Sequence, residues 1–223
     1  MNYDINNPII DEASEFLNMK REYIVAKIYE MENNLHKIWN QRNPQTYSEI
    51  IDFYKKEELH FFNVLQFNLW SNAQMPFVDF NKYPIKTCFE FGCGIGTTAL
   101  LLAEMGFEVD IADANIKLVE FTKFRLNKRG YKCNIINIDK YKPLEKSYDL
   151  ITTIDVLEHV LNPIELMVHF REHSKYWYAT NLNPAKISQH LCLWNNDRII
   201  DIIKAIGWNP LWLAEDSGRG FFE

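Results

Sequence analysis

Residues 85–98 read IKTCFEFGCGIGTT, and this stretch decides the fold. Ile85 to Phe91 is apolar enough for a buried strand. It runs straight into Gly92, Gly94 and Gly96, and Thr97 and Thr98 then open an apolar helix that stops at Gly106. A strand, a glycine turn and a helix N-terminus in this order form a site for a nucleotide-type ligand. Glycine has no Cβ, so a ligand can approach the backbone closely and a positive φ costs little. The N–H groups of the first helical turn have no partner within the helix and point at the ligand.

Working outward, the chain from residue 85 alternates strand and helix. The expected strands are 85–91, FEVDIAD ending at Asp113, YKCNIIN over 131–137, YDLITTI over 148–154 and KYWYATNL. WNPLWLA and GRGFFE are expected as the last two. Helices are expected over 97–105, 115–129, 162–173 and 195–206. The alternation predicts a Rossmann-like α/β fold, a seven-stranded and mostly parallel doubly wound sheet with helices on both faces.

Residues 1–80 lack this alternation and are expected to form an N-terminal helical appendage, with the sheet domain over 81–223. Ala13, Phe16, Leu17, Ile24, Ile28, Met31, Leu35 and Ile38 recur at helical spacing, so one long helix is expected over 11–40. Asn43-Pro44 breaks it. Thr46 and Glu49 form a capping-box pattern, and a second helix is expected over 47–70. The appendage is a packed helical pair, a lid over the ligand or a homodimer surface. Tyr54, His60, Asn63 and Trp70 are its candidate substrate residues.

The first stretch, EFGCGIGTT, resembles the first motif of class I S-adenosylmethionine (SAM)-dependent methyltransferases, acidic-x-G-x-G-x-G after strand one. Thr97 stands where a dinucleotide-binding GxGxxG would carry its third glycine. The resemblance covers roughly residues 84–222 and implies SAM as cofactor, with S-adenosylhomocysteine (SAH) as product. It implies that Glu90, Gly92, Cys93, Gly94 and Gly96 line the cofactor. Tight turn geometry accounts for a small residue such as Cys93 equally well.

Asp113 ends the second strand, where adjacent strand ends share one crevice, so its carboxylate can accept hydrogen bonds from a ribose diol. Its structural alternative is a helix N-cap, and Ala114 next to it joins the cofactor set. In the family, an acid at Asp139 takes the adenine amino group and the backbone N–H of Lys140 meets the ring. Asp139 is otherwise a loop acid.

TTIDVLEHV resembles the family's segment after strand four. It places Ile154 and Asp155 beside the methionine half of the cofactor and starts the next helix with Glu158 and His159. His159 is a general-base candidate, because an unperturbed histidine titrates near neutrality, or else a pocket-lining residue. His190 occupies a position that faces the acceptor in the family and is the first choice of base, with packing over the sheet end as the alternative. Asn181 and Trp194 complete the expected substrate set, with Trp177 and Tyr178 as pocket or core residues. The spacing Asp155-x-x-Glu158-His159 also resembles the ExxEH metal site of small-RNA 2′-O-methyltransferases. The aspartate in first position and the net charge of −6 speak against it, so no metal is expected.

The expected function is methyl transfer to a small-molecule metabolite or natural-product intermediate at oxygen, nitrogen or carbon. The alternatives are a nucleic-acid methyltransferase, a non-catalytic SAM-binding scaffold and an NAD-dependent oxidoreductase. The net charge argues against a nucleic-acid partner. The basic cluster of Lys123, Arg125, Lys128, Arg129 and Lys132 reads as a solvated helix face. No apolar run reaches the roughly 20 residues a membrane span needs. The first residues show no signal-peptide pattern, and the four cysteines form no CxxC pair. Cytoplasmic location follows as the expectation.

Overall fold

The computed structural model describes residues 4–70, 78–182, 184, 189–191, 196–214 and 218–223. The described residues form a six-stranded sheet in the order β2-β1-β3-β4-β6-β5. Its strands are β1 (Thr87–Phe91), β2 (Glu108–Ala112), β3 (Tyr148–Thr153), β4 (Ser174–Ala179), β5 (Pro210–Ala214) and β6 (Arg219–Phe222). The first four are mutually parallel, and β6 runs antiparallel to both β4 and β5. The order reverses at β1, and the crevice beyond its carboxyl end is where a doubly wound sheet holds a ligand.

Alternate residues of each strand feed two cores. Cys88, Leu150, Tyr176, Tyr178 and Phe221 face α5 (Thr97–Glu104) and one side of α6 (Ile116–Lys128). Phe89, Phe91, Ile151, Trp177 and Phe222 face α7 (Pro163–His173) and α8 (Asn196–Ala205). The two-residue period of a strand splits the side chains this way. Trp177 and Tyr178 are both fully buried in the sheet.

The seventh expected strand is not formed. Residues 131–137 are reduced to a single bridge between Ile135 and Ile111. The Asp110 carboxylate takes their place in the ladder: one oxygen accepts from the backbone N–H of Asn134 at 3.0 Å and from its side-chain amide at 2.9 Å. A side chain that captures the partner's N–H ends the ladder after one bridge.

The two long N-terminal helices are also corrected. The first is split into α1 (Pro8–Leu17) and α2 (Arg21–Arg42) by Asn18, which adopts a left-handed conformation with φ 50°. The second is split into α3 (Tyr47–Lys56) and α4 (Glu58–Trp70) by Glu57, which leaves the helix with ψ 103°. The Glu57 carboxylate then accepts from Leu59 N–H at 3.2 Å, at the start of the next helix. The capping box of Thr46 and Glu49 is present. Ile10, Ile24, Ile28, Trp39, Phe53 and Phe61 form a third core that includes Ile95, Leu118 and Phe121. Helix α6 is therefore packed between the sheet and the N-terminal helices.

Candidate active site

The glycine turn is rigidly held. Gly92, Gly94 and Gly96 all have positive φ, at 79°, 52° and 77°. A Cβ on Gly92 would lie 2.3 Å from Val156 Cγ2, and one on Gly94 would lie 2.9 Å from Val64 Cγ1. Only glycine fits both the conformation and the space. Gly92 N–H and Cys93 N–H both donate to the Ala112 carbonyl at 2.8 Å, which ties the turn to the end of β2. The outer carbonyls are held by α6. Thr122 Oγ1 donates to Gly94 O at 2.9 Å, and the Arg125 guanidinium donates to Ile95 O.

Asp113 closes the arrangement. Its Oδ2 accepts from Gly94 N–H at 3.0 Å and its Oδ1 from Asn115 N–H at 2.8 Å. Asn115, rather than Asp113, caps α6, accepting from Leu118 N–H at 3.1 Å. Burial raises the Asp113 pKa to about 6, against the lowering effect of its backbone hydrogen bonds. Glu90 is 2% exposed, and its Oε2 has no hydrogen-bond partner among the described residues. Burial pushes its pKa well above the ordinary carboxylate value. Both acids open into one cavity of about 600 Å³.

Beyond the carboxyl ends of β3 and β4, on the same cavity, Asp155 and Asn181 adopt the left-handed conformation with φ 51° and 56°. Two non-glycine residues in this region beside one cavity are a feature of functional sites. The Thr180 hydroxyl accepts from Asp155 N–H at 3.0 Å and donates back to its carboxylate at 3.3 Å. Glu158 is fully buried. Its Oε1 accepts from the Asn181 amide, and its Oε2 has no partner among the described residues. Burial, reinforced by the neighbouring Asp155 charge, raises its pKa to about 8.

His159 Nδ1 donates to Gln189 O at 3.0 Å and lies 3.3 Å from the Tyr54 hydroxyl. That fixes the tautomer and leaves Nε2 with a lone pair. Burial, with His190 adding to it, lowers the His159 pKa to about 4. The His159 and His190 rings lie 4.9 Å apart, and Tyr54 and His60 lie 4.7 Å apart. Burial holds His60 neutral down to about 3. Glu158, His159 and His190 bring one nitrogen or carboxylate oxygen each within 4.8 Å of the others.

The cavity thus gathers Glu90, Gly92, Cys93, Gly94, Asp113, Ala114, Ile154 and Asp155, all expected to line the cofactor. His159, His190, Tyr54, His60, Asn63 and Asn181 also line it. Gly96 is not on the wall; its missing side chain makes room for Thr122. Asp139 and Lys140 also stand off the wall. The Asp139 carboxylate pairs with Lys55, and its neighbour Ile138 lines the cavity instead. The Trp70 side chain and all of Trp194 lie outside the described residues.

Sequence reasoning missed how the N-terminal helices are tied to the loops around the cavity. Tyr47 donates to Ile138 O at 2.6 Å. The Asn115 amide donates to Tyr54 O at 2.8 Å, and Thr97 Oγ1 donates to Asn68 at 2.6 Å. These contacts join positions 29 to 91 residues apart, and nothing in the local pattern announces them.

Residues 76–211 match the family model described as a methyltransferase domain, well over half of the chain. The chain belongs to this methyltransferase domain family. Two ubiquinone biosynthesis O-methyltransferases are similar to it. That of Rickettsia prowazekii (strain Madrid E) is 33% identical over 88 residues, 39% of this chain and 34% of the relative. That of Rickettsia canadensis (strain McKiel) is 32% identical over 88 residues, 39% of this chain and 37% of the relative. The match therefore spans about a third of the length of these curated relatives. Among solved structures, PigF with SAH superposes with a TM-score of 0.60 at 13% identity, covering 89% of this chain and 68% of that one. The magnesium protoporphyrin IX methyltransferase (ChlM) from Synechocystis PCC 6803 with bound SAM gives 0.51 at 15% identity, covering 85% and 90%. At these identities the likeness establishes a shared methyltransferase fold. No described helix is long and apolar enough to cross a membrane.

Proposed function

We propose that this chain transfers a methyl group from SAM to a small-molecule acceptor. One observation carries the reading: the Asp113 carboxylate, held by Gly94 N–H, and the unpartnered Glu90 Oε2 face the same cavity as the His159–His190 pair. The residues fit the cofactor. Asp113 suits a ribose diol, and the orphaned carboxylate oxygen of Glu90 awaits a hydrogen-bond donor, which a buried acceptor needs. Bound SAM supplies a methyl group on a sulfonium, an activated leaving group.

What the chain itself must add is alignment and exclusion of water. The N-terminal helices roof the turn through Val64 and Asn68 and wall the acceptor end with Tyr54 and His60. His159 Nε2 keeps its lone pair at neutral pH, so it can accept a hydrogen bond from an acceptor hydroxyl or amine and orient it, and its low pKa makes this positioning its stronger contribution. His190 stands next to it and shares this role. The net charge of −6 favours a small acceptor over nucleic acid. The unpaired thiols of Cys88, Cys93 and Cys133 suit the reducing cytoplasm.

The test is label transfer. The protein is incubated with methyl-labelled SAM and a panel of phenols, amines, sugars and carboxylic acids. Label in an organic product, reduced at least tenfold by His159→Ala or His190→Ala, supports the reading. Tight SAM binding with no label transfer across the panel and a cell metabolite extract counts for the scaffold alternative.

A further inference from the structure

Four carboxylates line the cavity, Glu90, Asp113, Asp155 and Glu158, and no lysine or arginine does so among the described residues. Glu90 and Asp113 lie at the glycine turn and are assigned to the cofactor. Glu158, with Asp155 beside it, lies next to His159 and His190. Arg219 on β6 acts electrostatically on Asp155 but is not on the wall. Among the described residues Glu158 has no cationic partner, and only one of its oxygens is satisfied.

Glu158 is fully buried, and a buried polar atom with no partner is rare in a folded protein unless a ligand supplies it. The surroundings select the ligand. Two carboxylates repel an anion. A neutral group can donate one hydrogen bond to Glu158 Oε2 but brings no counter-charge, and without one burial and the Asp155 charge keep Glu158 protonated. A cation satisfies both. The rings of Tyr54, His159 and His190 beside them add faces that attract or tolerate a cation, since burial keeps His159 neutral.

We propose that the methyl acceptor carries a protonated amine, which docks on Glu158 and Asp155 at the His159–His190 end of the cavity. This deepens the methyltransferase reading and rests on it. The ammonium N–H groups donate to Glu158 Oε2, while Asn181 keeps Oε1. Burial holds the Glu158 carboxyl near a pKa of about 8 before binding, and an ammonium beside it favours the ionised form. Glu158 is then the residue that selects the acceptor by charge.

The experiment uses the whole chain loaded with SAH, in EDTA, and three probes that share one phenol: tyramine, 4-ethylphenol and 4-hydroxyphenylacetate. Binding is measured by calorimetry or ligand-observed NMR. Tyramine is expected to bind at least tenfold tighter than 4-ethylphenol, and 4-hydroxyphenylacetate weakest of all. Glu158→Gln is expected to bring tyramine down to the level of 4-ethylphenol while SAH affinity stays within twofold. Equal binding of the three, a preference for the anion or no binding by any overturns the proposal. If Mn²⁺ alone binds the SAH-loaded protein at micromolar concentration and Glu158→Gln abolishes that, the carboxylates serve a metal ion, and the proposal falls as well. Failure of SAH itself to bind is a different result, and it strikes the cofactor reading underneath. Since the charge preference is read on the unmodified protein, a poorly folded variant does not leave the question open.

Discussion

Replacing Glu12 with alanine tests how the N-terminal helices support the glycine turn. Glu12 on α1 is 7% exposed and Arg125 on α6 is 5% exposed. Glu12 Oε2 accepts from Arg125 Nε at 2.7 Å, and Oε1 pairs with Arg129 at 2.7 Å. Burial acts to raise the Glu12 pKa, and the two guanidinium groups outweigh it, so the net shift is downward. The same Arg125 holds the Ile95 carbonyl of the turn. Glu12→Ala leaves a buried guanidinium without its counter-charge, a loss of about 3–5 kcal/mol. For a chain of this size that lowers Tm by roughly 6–20 °C. The control is Glu15→Ala, which removes an exposed pair with Lys128 and should cost about 0–1 kcal/mol. Glu12→Leu combined with Arg125→Met should recover most of the stability, because no charge stays buried. The remaining deficit of about 1–3 kcal/mol belongs to the Ile95 carbonyl, now without its donor. SAH affinity should stay reduced severalfold in the double variant, because the turn has lost that support. Thermal unfolding and calorimetry read both quantities. If Glu12→Ala costs no more than Glu15→Ala, α1 does not stabilise the turn and the reasoning fails.

Three further outcomes are expected. Gly92→Ala brings a Cβ to 2.3 Å from Val156 at a φ of 79°, so SAH binding should be lost and Tm lowered; an unchanged affinity would show that the turn yields easily. Burial lowers the pKa values of His60 and His159 to about 3 and 4, while the unfolded chain takes up these protons near pH 6.5. The unfolded state binds more protons between those limits, so stability falls as pH drops from 6.5 towards 4, by up to about 1.4 kcal/mol per pH unit for each group. His60→Phe should flatten that slope in a pH series of denaturant melts, and an unaltered slope would place the titration elsewhere. Asp110→Ala removes the acceptor of Asn134 and of the Tyr148 hydroxyl, so backbone hydrogen exchange over residues 131–138 should rise first and most.

The parts of the molecule that sequence disclosed are those encoded locally. The strand, glycines and helix of residues 85–104 lie next to one another in the chain, so spacing alone placed Gly92, Gly94 and Asp113 at one crevice. Thr46 and Glu49 announced a helix start for the same reason. The missing seventh strand was not legible, because residues 131–137 have strand composition. What ends the ladder is the Asp110 side chain, 24 residues earlier. The two helix breaks at Asn18 and Glu57 are single-residue conformations inside continuous apolar periodicity, and periodicity does not register them. The Asp139 carboxylate pairs with Lys55, 84 residues away, and spacing reveals no such partner. Arg125 read as part of a solvated basic face, yet it is buried because Glu12 reaches it from α1, 113 residues away. Charge in a helix face tells nothing of burial until its partner is known.

The central claim is that the glycine turn and Asp113 bind SAM. Calorimetry of SAM and SAH with the wild-type chain and with Asp113→Ala tests it most directly. Micromolar binding of both ligands, weakened at least tenfold by the substitution, is the expected result, since a ribose diol loses its acceptor and Gly94 N–H its anchor. Absence of binding to the wild-type chain, or equal affinity in a folded Asp113→Ala variant, would contradict the account.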